Sequence, residues 1–353
     1  MTTFSKNLLA WYHQHGRKNL PWQQHPTPYR VWISEIMLQQ TQVQTVIPYF
    51  ERFMKSFPDL ETLAAAPLDD VLHHWSGLGY YARARNLHKT AQLICDQLSG
   101  QFPNNADSLE LLPGIGRSTA GAILSLAFQQ RQPILDGNVK RVLTRFHAIE
   151  GWPGKSDIQK RLWKIADKHT PQEEVAAYTQ AIMDLGATLC TRSKPDCANC
   201  PMHVGCEARK MDRQRDFPYS KPKKTIPTRK KIFLILRNDK NEILMEKRPP
   251  TGIWGGLWSL PECDHDDDLQ KIAEQRFACR LTDQQVLKTI RHTFSHFHLE
   301  ITPILAQVKD RTTMVMESDE TLWYNNTQVK HIGLAAPVAD LLRNIEGMKT
   351  WHA

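Results

Sequence analysis

Leu112-Pro113-Gly114-Ile115-Gly116 runs straight into Arg117-Ser118-Thr119-Ala120-Gly121-Ala122-Ile123, and this stretch decides how the first part of the chain is read. Pro113 and Gly114 favour a tight turn. Gly116 leaves the amides of the following turn uncovered, and the small residues up to Phe128 suit a closely packed helix. Two helices joined in this way offer backbone N–H groups that can hold a phosphate without reading a base. An ordinary αα-corner has the same signature, so the turn alone leaves both readings open.

Around it the signals stay helical. Thr41 and Gln44 read as a capping box, followed by Val43, Val46, Ile47, Phe50, Phe53 and Met54 at helical spacing. Pro48 inside that run suggests a bend. Pro67-Leu68-Asp69-Asp70 opens a helix that Gly77 and Gly79 end, and 82–98 is helical again. Strand-like alternation is sparse before residue 210. Beyond residue 230 the pattern changes: 232–236 and 242–247 read as strands about a polar turn, and Phe297, Leu299 and Ile301 alternate with polar residues. Helices are expected at 268–277 and 337–345. The second part is therefore a separate α+β domain.

A chain of 353 residues has room for two or three domains. Its net charge of +8 is concentrated: Arg209 to Lys231 holds ten Lys/Arg against two Asp. Such a segment suits a polyanionic partner, or serves as a solvated linker. Pro218, Pro222 and Pro227 stiffen it, which marks a linker at 216–229. No apolar run of about eighteen residues exists, so no membrane span is expected. The first residues lack a secretion signal, which points to the cytoplasm. Cys95, Cys263 and Cys279 are scattered, as free thiols in a reducing compartment are.

Three further features carry chemistry. Cys190, Cys197, Cys200 and Cys206 are spaced C-x6-C-x2-C-x5-C. Four thiolates this close can wrap one centre. A zinc ribbon usually has two C-x2-C knuckles and only one is present, so a cubane iron–sulfur cluster competes with zinc. Glu35 is the lone acid in the apolar run Val31 to Leu38. Burial would raise its pKa toward that of a general acid, whereas a partly exposed surface acid would be ordinary. Asp136, in Ile134-Leu135-Asp136-Gly137-Asn138, is either a helix cap or a carboxylate facing developing positive charge.

The order of these elements resembles the helix–hairpin–helix DNA glycosylases of base excision repair, the endonuclease III superfamily. The stretches 34–42, 77–83 and 135–141, the cysteine loop, and Arg291-His292-Thr293-Phe294-Ser295-His296 resemble its adenine-excising (MutY-type) branch more narrowly. The resemblance covers nearly the whole chain. It implies a multidomain fold: an all-α glycosylase domain at 1–215, the linker at 216–229, and an α+β MutT-like (Nudix) lesion-recognition domain at 230–353. Within the first, a six-helix barrel spans about 23–133, and the N-terminal segment joins 134–215 as an iron–sulfur module.

The resemblance also assigns roles. Glu35 would protonate adenine, Asp136 would stabilise the sugar cation or trap it, and Asn138 would orient that carboxylate and the water. Gln40 and Tyr80, flanked by Thr41 and Leu78, would wedge into the duplex. Gly114, Gly116, Ser118 and Lys140 would contact DNA near its backbone, and Ser295 and His296 would face 8-oxoguanine. Strand-cutting relatives place a nucleophilic lysine two residues after the second hairpin glycine. Here that position is Ser118, which cannot form a Schiff base, so hydrolysis without strand cleavage is implied. One 4Fe-4S cluster on the four cysteines, a substrate of duplex DNA with adenine opposite 8-oxoguanine or guanine, a monomeric state, and a nucleoid-associated location in a bacterial cytoplasm complete the expectation. The pyrophosphatase signature of Nudix enzymes is missing after Gly252, so no hydrolase activity is expected of the second domain.

Overall fold

The computed structural model describes residues 1–222, 225–309, 320–325 and 332–346; Lys223 and Lys224 of the basic segment lie outside them. The chain divides into two compact units, one of 1–65 with 86–223 and the other of 66–85 with 224–353. The helices before the first strand are α1 (Thr3–His15), α2 (Pro28–Leu38), α3 (Val43–Ser56), α4 (Leu60–Ala65), α5 (Leu68–Trp75), α6 (Ala82–Leu98), α7 (Ala106–Glu110), α8 (Arg117–Ala127), α9 (Gly137–Phe146), α10 (Ser156–His169), α11 (Val175–Thr188) and α12 (Glu207–Lys210). No helix among the described residues is long and apolar enough to cross a membrane.

Pro28 opens α2 behind Thr27, whose hydroxyl accepts from the Arg30 amide at 3.2 Å. α3 begins at Val43 and runs through Pro48, but its cap is Gln42 and no side chain caps it. The Thr41–Gln44 capping box is therefore not formed. Gln40 adopts a left-handed φ of 59°, which turns the chain just before the helix, and the Thr41 hydroxyl donates to the Gln39 carbonyl instead. α8 starts at Arg117 behind Gly116, which offers no side chain to cap it, so the hairpin leaves its amides open. In the first unit α11 packs against α1, α8 and α9, and α8 packs against α2. Leu8, Leu135, Val139, Leu143, Leu162, Tyr178 and Leu185 share one buried cluster there.

The second unit is built on a sheet of β1 (Thr228–Arg237), β2 (Ile243–Lys247), β3 (Trp258–Ser259), β4 (Glu262–Cys263), β5 (Arg280–Val286), β6 (Ile290–Thr293), β7 (His298–Lys309) and β8 (Thr321–Tyr324). It also contains α13 (Leu269–Phe277) and α14 (Ala336–Glu346). The central order is β3-β2-β1-β7-β5, with β4 on β1, β6 on β7 and β8 on β2. β1 and β7 are parallel and the other pairings antiparallel, which makes the sheet mixed. Strand β1 starts at Thr228, two residues inside the segment read as a linker. Its ladder with β7 already runs from Thr228 opposite His298, so a partner strand overrides the local charge and proline content. Asp268 caps α13 by accepting from the Lys271 amide at 3.1 Å.

Candidate active site

Asp136 reaches its position through close backbone contacts. A Cβ at Gly121 of α8 would lie 2.5 Å from the Pro133 carbonyl oxygen, and one at Gly186 of α11 would lie 2.6 Å from Asn138 Cβ. Only glycine lets both helices close on 133–138. The Ser118 hydroxyl accepts from the Leu135 amide at 3.0 Å and fixes the residue before Asp136. Asp136 then caps α9, its Oδ1 accepting from the Val139 amide at 2.7 Å. Asn138 Nδ2 donates to Oδ2 at 3.4 Å. The two readings of Asp136 are therefore compatible: it caps a helix and it lines a cavity.

Glu35 lines the same cavity, on α2. The residue is partly exposed. Burial, with the nearby Asp136 charge second, pushes its pKa up to about 8. Burial raises Asp136 as well, but the Val139 N–H, Arg141, the Asn138 N–H and Lys140 all pull it back down. The two carboxyls thus feel each other across one space of about 1400 Å3. Gln40, Thr41, Ser118 and Asn138 line it too, so these expected site residues come together with the acid pair.

Sequence reading missed two groups on this cavity. Arg17 donates from Nε and Nη2 to Asp184 Oδ1, at 2.9 and 2.6 Å, and its amide donates to Oδ2 at 2.8 Å. Gln180 Nε2 donates to the same carboxylate at 2.9 Å. Arg17 and Gln180 line the cavity while Asp184 is fully buried behind them. The available signal was a lone acid in the apolar stretch 181–187, the same signal that marked Glu35. The second missed group is Arg141. Its Nη2 donates to Asn138 Oδ1 at 2.8 Å and to the Gly186 carbonyl at 2.7 Å, and its Nε donates to the Cys190 carbonyl at 2.7 Å. One guanidinium therefore ties Asn138 to the backbone of the first cysteine.

The four cysteines line a second cavity. Buried Arg145 organises the loop, donating to the carbonyls of Thr191, Arg192, Gln214 and Phe217 and to Cys190 Sγ at 3.4 Å. Burial raises the thiols of Cys197, Cys200 and Cys206, Cys200 up to about 12, so an ion must displace their protons to bind. Among the described residues no three His, Cys, Asp or Glu side chains stand close enough to hold one ion. Four thiols around one space supply the soft donor set that an iron–sulfur cluster or zinc takes.

The remaining expected contacts lie on separate surfaces. Gly114 turns the hairpin with a φ of 81°, and α6 supports it: Thr90 Oγ1 donates to the Pro113 carbonyl at 2.9 Å. Gly114 and Gly116 are exposed, and Lys140 is partly so. In the second unit Leu78 is buried and Tyr80 is 53% exposed. Ser295 and His296 are exposed on the turn between β6 and β7, which the Phe294 amide closes on the Phe297 carbonyl at 2.9 Å. Phe294 stacks on Phe297 at 4.7 Å and meets Trp254 at 5.3 Å, so the turn stands on an aromatic base.

Comparison with known proteins places these features. Residues 33–168 match the model of the HhH-GPD superfamily of base excision DNA repair proteins, and 232–344 match a NUDIX domain. The chain is 41% identical to an adenine DNA glycosylase of Buchnera aphidicola (subsp. Acyrthosiphon pisum) over 344 residues, 97% of both chains. It is 31% identical to the adenine DNA glycosylase of Homo sapiens over 410 residues, covering 99% of this chain and 75% of that one. A solved thermostable thymine-DNA glycosylase, 25% identical, superposes with a TM-score of 0.54 over 59% of this chain and 95% of its own.

Proposed function

Since the chain belongs to the adenine DNA glycosylases, a family of base excision repair, we propose that it removes adenine paired with 8-oxoguanine or guanine, by hydrolysis and without cutting the strand. The observation that carries this reading is the pair Glu35 and Asp136 on one cavity, with Glu35 raised to about 8. A proton donor and a carboxylate held across one space suit heterolysis of an N-glycosidic bond.

Adenine leaves the stack at a cost of a few kcal/mol, less at a mispair. Glu35 gives its proton to N7, which turns a poor anionic leaving group into a neutral one. Positive charge grows on the sugar as the bond opens, and Asp136 faces it. Asn138 holds that carboxylate and directs water. Gln40, Thr41, Leu78 and Tyr80 act on the vacated stack. The open amides behind Gly116, with Ser118 and Lys140, meet phosphate. Ser118 offers no amine, so the sugar is released to water. Ser295 and His296 read the oxidised guanine from their turn. The chain works as a monomer on cytoplasmic, nucleoid-bound DNA.

Cys190, Cys197, Cys200 and Cys206 would hold one 4Fe-4S cluster, which supplies a rigid anchor for the loop 190–206. Arg192 and Lys194 lie within that loop, between its first two cysteines, where they would meet backbone phosphate.

One incubation tests the whole reading. Duplex carrying adenine opposite 8-oxoguanine should be cleaved only after alkali. Cleavage without alkali would assign strand-cutting activity, and no cleavage in either condition would leave a lesion binder.

A further inference from the structure

Tyr80 is large, aromatic and 53% exposed, and it sits in left-handed backbone at φ 50° just after Gly77 (φ 98°) and Gly79 (φ 69°). A strained non-glycine residue persists only where its surroundings over-determine it. The nearest restraints are local. Trp75 Nε1 donates to the Gly79 carbonyl at 3.1 Å. Arg83 Nη2 donates to the Leu78 and Gly79 carbonyls at 3.2 and 3.0 Å, and its guanidinium lies 5.2 Å from the Trp75 ring and 5.6 Å from the Tyr80 ring. The loop 77–80 is thus fastened to α5 and to the first turn of α6.

Those two pieces belong to the same compact unit as the C-terminal domain, and that domain holds them through several polar contacts. Lys247 Nζ pairs with Asp69 Oδ2 at 2.9 Å, while Asp69 Oδ1 is buried without a hydrogen-bond partner. Arg85 Nη1 donates to the Gly255 carbonyl at 2.6 Å, and Tyr81 Oη donates to the Leu334 carbonyl at 3.0 Å. Between them Leu72 is fully buried. A Cβ at Gly333 would lie 2.7 Å from Leu72 Cβ, so α5 is seated on bare backbone. Gly333 is itself held to the sheet, its carbonyl accepting from the Trp258 amide at 2.9 Å.

We propose that Lys247, with the backbone of Gly255, Gly333 and Leu334, positions the loop that presents Tyr80 to DNA. The C-terminal domain then governs discrimination in a second way besides its own turn at 294–297. This rests on the reading of Tyr80 as a DNA contact.

The test uses the full chain carrying Glu35→Gln, so that substrate survives, and reads dissociation constants for A:8-oxoguanine and matched duplexes by fluorescence anisotropy. Lys247→Ala should weaken mispair binding about threefold, and Lys247→Arg should restore it, as expected of a part-exposed ion pair. Gly333→Leu, which cannot leave α5 in place, should weaken it about tenfold while matched duplex changes less than about twofold. In a Tyr80→Ala background neither substitution should add a further loss, because both act through that ring. If Tyr80→Ala alone changes nothing, the reading of Tyr80 falls and the proposal with it. If Tyr80→Ala weakens binding but the other losses add in full, or are absent, the positioning role alone is overturned. Thermal unfolding identifies a misfolded Gly333→Leu, in which case the Lys247 pair decides.

Discussion

Replacing Glu35 by Gln removes one proton and almost nothing else, since the two side chains share shape and length. With its pKa raised from 4.5 to about 8, Glu35 holds its proton in about nine molecules of ten at pH 7. At the ordinary value only about one in three hundred would do so. Burial in the cavity therefore raises the reactive fraction by more than two orders of magnitude. General acid catalysis contributes about 10²–10⁴-fold, so Glu35→Gln should slow single-turnover excision by that factor. Binding of the mispaired duplex should change little, because the amide still fills the site. The wild-type rate should also have an alkaline limb. Only the protonated form acts, so the rate holds near neutrality and falls through pH 8, to about a tenth of its plateau at pH 9. The assay is excision from a duplex with adenine opposite 8-oxoguanine, quenched in alkali and resolved on a gel. A rate constant flat from pH 7 to 9.5, or a Gln variant within about threefold of wild type, would refute the assignment.

Four further outcomes follow from the same geometry. Asp136→Asn should abolish excision yet leave the melting temperature within a few degrees, because Asn caps a helix about as well as Asp; a cap-only residue would leave activity intact. Glu35 keeps a proton in the folded state that the unfolded chain loses above about pH 4.5, so stability falls as pH rises from there to about 8. Urea titrations at pH 5 and pH 8 should show that fall, a few kcal/mol at most, in wild type and not in Glu35→Gln. Cys190→Ser should remove a broad absorbance near 400 nm, and purified wild type containing zinc without iron would refute the cluster. Ser295→Ala should lower the preference for 8-oxoguanine over guanine opposite adenine while the rate on the guanine mispair holds within about threefold; equal losses on both substrates would count against a reading role.

What the sequence disclosed was local. The hairpin, the lone acid in α2, the Asp in its Gly-Asn turn and the cysteine spacing each lie within a few residues, where turn chemistry and periodicity operate. Even there a local rule failed once: Thr41 has the right partner for a capping box, but the left-handed Gln40 moves the cap to Gln42. The rest depended on contacts far apart along the chain. Arg17 meets Asp184 across 167 positions, and Tyr81 meets Leu334 across 253. No periodicity reports such pairs. The same distance explains why 66–85, helical and flanked by helices, is grouped with the sheet-bearing unit. It also changes what truncation can test. Removing everything after Lys230 would strip Leu72 and Asp69 of their partners as well as deleting the turn at 294–297, so point substitutions are the cleaner probe.

Two carboxyls on one cavity could exchange roles unless something breaks their symmetry. Distance does not, since each faces the same space. The helix does. Asp136 occupies the N-cap of α9, where the Val139 amide donates to it and the helix dipole favours negative charge. Arg141 and Lys140, one turn along, pull the same way. Glu35 sits inside α2 with burial and the Asp136 charge both holding its proton on. Burial raises both carboxyls, but the Val139 amide, Arg141 and Lys140 oppose it only at Asp136, so the proton is held more firmly on Glu35, and the Asp136 charge adds to that preference. Cleavage of the N-glycosidic bond needs this distribution: an acid where electrons collect on the base, an anion where they leave the sugar. The helix-capping bond that starts α9 is also the first of the contacts that oppose the upward pull of burial on Asp136, so weakening α9 at its first turn would disturb the chemistry before it disturbed the fold.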